Sequence, residues 1–363
     1  MVQLTKDESR AITLAKVICM FGVVFIHAAI KKYTDCSALV EFYYNFLTRV
    51  LVNFAVPGFF MCSGFLFFLN YKGFESYFNK IKSRIRGLFI PYLFWISLSI
   101  FVTWFIQDAL GLASMFGAGN MKLIHDFDTC DFLLSYWNLR DGVVPFLSTL
   151  WFLRDLMVCV LLAPMLYQLL RFGKVSVLVI LVLIALTILG ISLVNIAMSS
   201  ILYFSMGGYL SINGIKPFAW IKSKQLYLYG TAFILIICYS SVYTEDTLSQ
   251  GYMYRLLSIA YNVSMVVSVI AICLHLEHKT IGVKLMTLGI PSYFIYLAHE
   301  PYMGYMLQIM LKVLKPFEIV YQIVVILIPI LYPIFIIGLF YLIFKCFKQY
   351  VPKLLSVAVG GKV

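Results

Sequence analysis

The sequence predicts an all-α, polytopic membrane protein of about ten transmembrane helices, with both termini in the cytoplasm. Three observations lead there: composition, a ladder of apolar runs, and the alternation of loop charge. Of 363 residues, 62% are hydrophobic and 12% charged, and the mean hydropathy is +0.94. A soluble domain is about 45–50% apolar and about 25% charged, so a soluble core cannot absorb this much apolar surface. The bilayer is the expected solvent for most of it.

A span needs about 20 predominantly apolar residues. Runs of that kind fall near residues 13–31, 47–69, 88–111, 147–170, 175–194, 197–212, 225–243, 253–275, 286–311 and 319–345. The sixth is short and bounded by Gly207-Gly208. The first follows a charged stretch, contains His27 and has no small-x-small cleavage site after it, so it reads as a retained helix and not a signal peptide. An even count puts both ends on one side.

Loop charge selects that side. With the N-terminus inside, about 18 basic residues fall in inner segments, among them Arg10, Lys80, Lys82, Arg84, Arg86, Arg171 and Lys348, and about eight fall outside, Arg49, Lys122, Arg140 and Arg255 included. This is the positive-inside bias. It also accounts for the formal charge of +12 without nucleic acid, since no long basic tail or RNA-type motif is present. Residues 1–363 read as one domain, with no repeat or low-complexity tract. Its only long loop, about 112–146, is expected outside. His125, Asp126, Asp128, Asp131, Tyr136, Trp137, Arg140 and Asp141 in that loop suit a sugar, or equally a solvated loop with interfacial aromatics.

The eight cysteines form no CxxC or zinc-like cluster, so neither a metal nor a redox role is expected. Most lie in apolar runs as small hydrophobes. Cys36 and Cys130 fall in outer loops and are the one candidate disulfide.

Ionisable groups inside spans are the sharpest signal, because each costs roughly 2.5–3.5 kcal/mol unless paired or wetted. They are Lys16 and His27 in the first helix, Arg154-Asp155 in the fourth, and His299-Glu300 in the ninth. Lys16 and His27 are eleven residues apart. At about 100° per residue they share one face, separated by about 16 Å of rise. The expected depths bring His27, Arg154-Asp155 and His299-Glu300 to a similar level in the outer half. Mutual pairing around a wet chamber is the cheapest arrangement. At the inner edge, Lys80, Lys82, Arg84 and Arg86 suit either positive-inside charge or a phosphate clamp.

At these residues the chain resembles the acyltransferase 3 family of integral membrane proteins, which O-acylate polysaccharides, lipids and peptidoglycan. The stretch RAITLAKVICMFGVVFIH, Arg10 to His27, resembles the family's opening helix, a basic residue, then ten residues, then His. Val56 to Phe65, VPGFFMCSGF, resembles its second-helix signature; Lys82 to Trp95, KSRIRGLFIPYLFW, its Arg-rich entry; Leu150 to Leu156, LWFLRDL, its Leu-Trp-Phe-Leu motif; and Tyr296 to Glu300, YLAHE, its late Tyr-Leu-x-His segment. Two departures stand out. Lys16 replaces a frequent Arg, which loses bidentate phosphate geometry, and Thr13 replaces a frequent Asp. No appended hydrolase-like domain is expected.

The resemblance implies a bacterial inner-membrane enzyme that takes an acyl group from cytoplasmic acyl-CoA, acetyl-CoA being the expected donor, to a carbohydrate or glycolipid hydroxyl. Arg10, Lys16, Arg84 and Arg86 are then candidates to hold donor phosphates. His27 is the candidate general base or acyl carrier. Glu300 or Asp155 would orient it, and Arg154 or His299 would stabilise the oxyanion. Each has a plainer alternative: His27 as an interhelical packing histidine, the two charged pairs as structural ties, Ser63 and Gly64 as a close-packing point. A transporter or flippase of a lipid-linked glycan or acyl group, and an unrelated membrane acyltransferase class with an intramembrane histidine, remain open. Oligomeric state leaves no signal in the sequence.

Overall fold

The computed structural model describes residues 3–28, 37–111, 122–140, 142–243 and 251–361. Cys36 and Asp141 lie outside them, so the Cys36–Cys130 pairing does too; Cys130 is exposed and carries a free thiol.

The described residues are almost entirely helical. Helices α1 (Lys6–Ile26), α2 (Ala38–Phe68) and α3 (Phe74–Ala109) are followed by the bent pair α4 (Trp151–Leu161) and α5 (Ala163–Leu170). Then come α6 (Gly173–Leu189), a hairpin of β1 (Ser192–Leu193) and β2 (Ile196–Ala197), and α7 (Met198–Ile212). Helices α8 (Gln225–Val242), α9 (Tyr252–Leu276), α10 (Thr280–Met286), α11 (Gly289–Ala298), α12 (Tyr302–Leu314), α13 (Glu318–Tyr350) and α14 (Pro352–Ala358) complete the chain. Among the described residues six helices are long and apolar enough to cross a membrane. Counting the pairs Ser148–Leu161 with α5, bent by 60°, and α10 with α11, bent by 53°, raises this to eight. The protein is thus a multi-pass membrane protein; among the described residues six to eight helices have the length and hydropathy of a span, and the expected count of ten is not reached by that measure.

The shortfall has local causes. Helix α6 stops after 17 residues because Gly190 takes the left-handed conformation, φ +72°, and the chain turns at once through the hairpin. Helix α7 has only 15 residues, about 22 Å at 1.5 Å each. Pro164 and Pro291 each lack the amide hydrogen that would continue the helix preceding them. The expected ninth span, 286–311, is not continuous: α11 ends at Ala298, capped by His299, and α12 begins at Tyr302 after Pro301. The basic stretch Lys80–Arg86 is also no loop, since it lies on α3 and runs into a π-helical turn at Ile85–Phe89.

Helix α1 begins with a capping box between Thr5 and Glu8, which satisfies two otherwise orphaned amides. It runs through the bundle, packed against α2, α9, α11 and α13. The tightest pairing is α2 on α7. A Cβ added to Gly64 would stand 2.0 Å from the Phe204 carbonyl oxygen, and one on Gly207 would stand 1.9 Å from that of Met61. Without hydrophobic drive inside lipid, such backbone proximity supplies the dispersion that joins helices. Gly64 therefore serves packing, as the motif suggested.

Candidate active site

Two interrupted helices bring the intramembrane histidines together. His27 caps the C-terminal end of α1 and His299 caps the C-terminal end of α11. Their ring centroids are 5.2 Å apart. Glu300, next in the chain, sets Oε1 3.8 Å from His27 Nδ1. His27 and Glu300 side chains are 30% and 17% exposed, so the group is reachable. His299 is fully buried. Its Nδ1 faces the carbonyls of Tyr296 at 2.8 Å and Ile295 at 3.2 Å. Carbonyls only accept, so Nδ1 carries the proton and the lone pair sits on Nε2. That Nε2 has no hydrogen-bond partner among the described residues. A neutral His299 therefore offers no N–H for the oxyanion role expected of it.

Arg154 and Asp155 do not join this group, contrary to the expected mutual pairing of all three charged sites. Arg154 Nε and Nη2 donate to Asp155 Oδ1 at 3.1 and 2.9 Å. Nη1 donates to the carbonyls of Trp137 and Val143, and Nη2 to that of Asn195, each at 2.7 Å. All five N–H donors are used. Asp155 Oδ2 accepts from Ser200 Oγ at 2.9 Å and Ala197 N at 3.3 Å. Both side chains are buried, at 2% and 0% exposure. The pair pins the loop before α4 and the β1–β2 turn onto the bundle. With every donor committed there, Arg154 has none for an oxyanion, and Asp155 orients Arg154 instead of His27.

The cationic group splits in the same way. Lys16 Nζ sits 5.5 Å above the Phe59 ring and within electrostatic reach of Arg84. Arg84 lies 5.9 Å over Phe67, on the same helix α2. Lys16 and Arg84 thus come together. Arg86 is exposed, and the chain after α14 folds against its backbone, where a Cβ on Gly360 would be 2.4 Å from the Arg86 oxygen. Arg10 Nη1 meets His278 Nδ1 at 3.4 Å, and His278 Nε2 is 3.2 Å from both Asp7 and Glu277. Arg10 therefore belongs to a tie between the start of α1 and the end of α9, apart from the Lys16–Arg84 pair.

Aromatic rings join the two ends of the α1 face. Phe59 meets Phe152 edge-on at 5.0 Å, Phe152 meets Tyr296 at 5.8 Å, and Tyr296 lies 6.3 Å from His299. Tyr293 Oη donates to the Gly87 carbonyl at 2.9 Å, anchoring α11 to the turn beside Arg84. These rings, and Arg49, whose charge reaches His27, were not identified from sequence as site residues. Arg49 reads there as an ordinary outer-segment charge; its place on a π-helical turn at Phe46–Val50 is a tertiary fact.

Among the described residues of the 112–146 loop, Asp126, Asp128 and Asp131 are engaged within the loop. Asp131 bonds Lys122 at 2.7 Å and pairs with Asp128 in a capping box. Asp126 and Asp108 flank His125. Tyr136 Oη is bonded to Ser97, Trp137 lies under Arg154, and Arg140 reaches Ser148 at 3.4 Å. Tyr136, Trp137 and Arg140 thus tie the described end of the loop to the bundle.

No solved structure matches the chain. Succinoglycan biosynthesis protein ExoH from Rhizobium meliloti (strain 1021) is 29% identical over 220 residues, 58% of this chain and 56% of that protein. The chain thus aligns with a little over half the length of this relative. The family profile described as an acyltransferase domain matches residues 9–345, which include His27, Arg154 and Glu300. The chain belongs to the acyltransferase 3 family.

Proposed function

We propose that this protein is a bacterial inner-membrane O-acyltransferase that moves an acyl group from cytoplasmic acyl-CoA to a hydroxyl of a cell-envelope polysaccharide or glycolipid. The observation that supports it most is one helix face that begins at Lys16, beside Arg84, and ends at His27, beside Glu300. A pantetheine arm of about 15–20 Å matches the rise between them. Lys16 and Arg84 would take donor phosphates as charge partners. The relative's role in succinoglycan biosynthesis supports a polysaccharide acceptor, and the acetyl group is the simplest donor cargo.

In this reading Glu300 holds the Nδ1–H of His27, which leaves Nε2 as base. The 3.8 Å separation must close by about 1 Å when substrate binds, as often happens to hydrogen bonds that are long in free enzymes. The acceptor oxygen attacks the thioester carbonyl as His27 takes its proton. The C–S bond then breaks, and His27 returns the proton to the departing thiolate. General base removal slows such a step by about 10²–10⁴-fold.

The test uses purified protein, a panel of labelled acyl-CoA donors and cell-envelope glycans, with products read by mass spectrometry. His27→Ala should insert and fold normally yet lose transfer; full activity in that variant would end the mechanism. The two bent helix pairs favour one other reading, transport of a glycan or acyl group. Movement of substrate across vesicles without acylation would identify it.

A further inference from the structure

We infer that His27, His299 and Glu300 form a binding site for one zinc-like divalent ion, and that filling it removes His27 as a base. The three residues each offer a ligand atom, and these atoms all lie within 4.8 Å of one another. Zinc binds nitrogen and oxygen at about 2.0–2.2 Å in tetrahedral sites, so ligand atoms stand about 3.4 Å apart. The 3.8 Å between His27 Nδ1 and Glu300 Oε1 needs about 0.4 Å of closure, and a pair at the 4.8 Å limit about 1.4 Å.

His299 carries the strongest indication. Its Nδ1–H donates to the Tyr296 carbonyl at 2.8 Å, the arrangement that orients metal-binding imidazoles and selects their tautomer. The lone pair so exposed on Nε2 is fully buried and has no partner among the described residues. A buried acceptor of this kind is costly to leave unmade, and a cation satisfies it. Two imidazoles and one carboxylate favour zinc or cobalt over magnesium or calcium. The partly exposed side of His27 leaves a fourth position for water or substrate.

The consequence for chemistry follows from proton count. A neutral imidazole has one lone pair. An ion on His27 Nδ1 forces the proton onto Nε2, and the ring then donates where the reaction needs an acceptor. Zinc should therefore inhibit. This second half rests on the acyltransferase reading; the binding itself does not.

The test begins with chelator-stripped full-length protein carrying His278→Ala, which removes the other candidate group, Asp7, Glu277 and His278. Cobalt(II) alone is titrated and followed by its visible absorption, and zinc per chain is counted by elemental analysis after gel filtration. One ion per chain is expected, with affinity lowered at least about tenfold by His299→Gln and by Glu300→Gln. Absence of saturable binding, or equal affinity in those variants, would overturn the site. Acyl transfer should fall in proportion to zinc bound and return with chelator; bound zinc without inhibition overturns the switch. If the metal-free protein transfers no acyl group with any donor while cobalt still binds, the enzymatic reading fails and the metal site stands.

Discussion

Replacing Arg154 by methionine removes five guanidinium N–H groups and keeps much of the side-chain volume. Three backbone carbonyls, of Trp137, Val143 and Asn195, lose their donors at once. Asp155, fully buried, keeps only Ser200 and the Ala197 amide. Stranding one member of a buried ion pair costs about 3–5 kcal/mol; at 1.36 kcal/mol per decade this is a shift of roughly 10²–10⁴ in the folding equilibrium. The double variant Arg154→Met, Asp155→Leu removes the stranded charge and should recover much of the loss. Unfolding of the two single variants and the double in lipid nanodiscs, assembled as a double-mutant cycle, measures the coupling, expected to be at least about 2 kcal/mol. Single variants within about 1 kcal/mol of the parent, or additive effects, would refute the structural role. A methionine variant of full stability and no turnover would return Arg154 to the chemistry.

The α2–α7 contact makes a second expectation: Gly64→Ala and Gly207→Ala, each driven into a facing carbonyl, should lose about 1–3 kcal/mol or more, while Gly338→Ala, which meets nothing within 4 Å, should be near neutral in the same unfolding assay. Lys16→Ala or Arg84→Ala should raise the donor KM about tenfold, the order of one charge-assisted contact, with a smaller change in kcat; an unchanged donor dependence would remove the clamp. In the loop, Lys122 and then the Asp128 amide hold the Asp131 carboxyl below its ordinary value of 3.8. The order this pair lends is therefore present at neutral pH and lost as pH falls through that lowered value, so limited proteolysis near Lys122 should accelerate in strong acid and should lose that pH step in Asp131→Asn.

Several features were legible in the amino-acid order because they depend on one residue and its solvent. Apolar runs identified most spans, since each must satisfy its backbone internally and show lipid a continuous apolar surface. Charge inside those runs picked out Lys16, His27, Arg154, Asp155, His299 and Glu300, because intramembrane charge is too costly to occur without partners. The single-face alignment of Lys16 and His27 followed from helical period alone.

Which partner each charge takes was decided only in three dimensions. Depth arguments set Arg154-Asp155 level with His27, yet the arginine turns to three carbonyls from two separate segments, and nothing in the local pattern names Asn195 or Val143. The ninth span looked continuous by hydropathy, although Pro301 marked its break; the break is what turns His299 and Glu300 toward His27 from a helix end. Composition and period therefore determined the solvent, the class of fold and the polar residues that matter. Hydrogen-bond pairing depends on positions and directions of atoms distant in the chain, so the division between structural charges and reachable ones belongs to the tertiary structure.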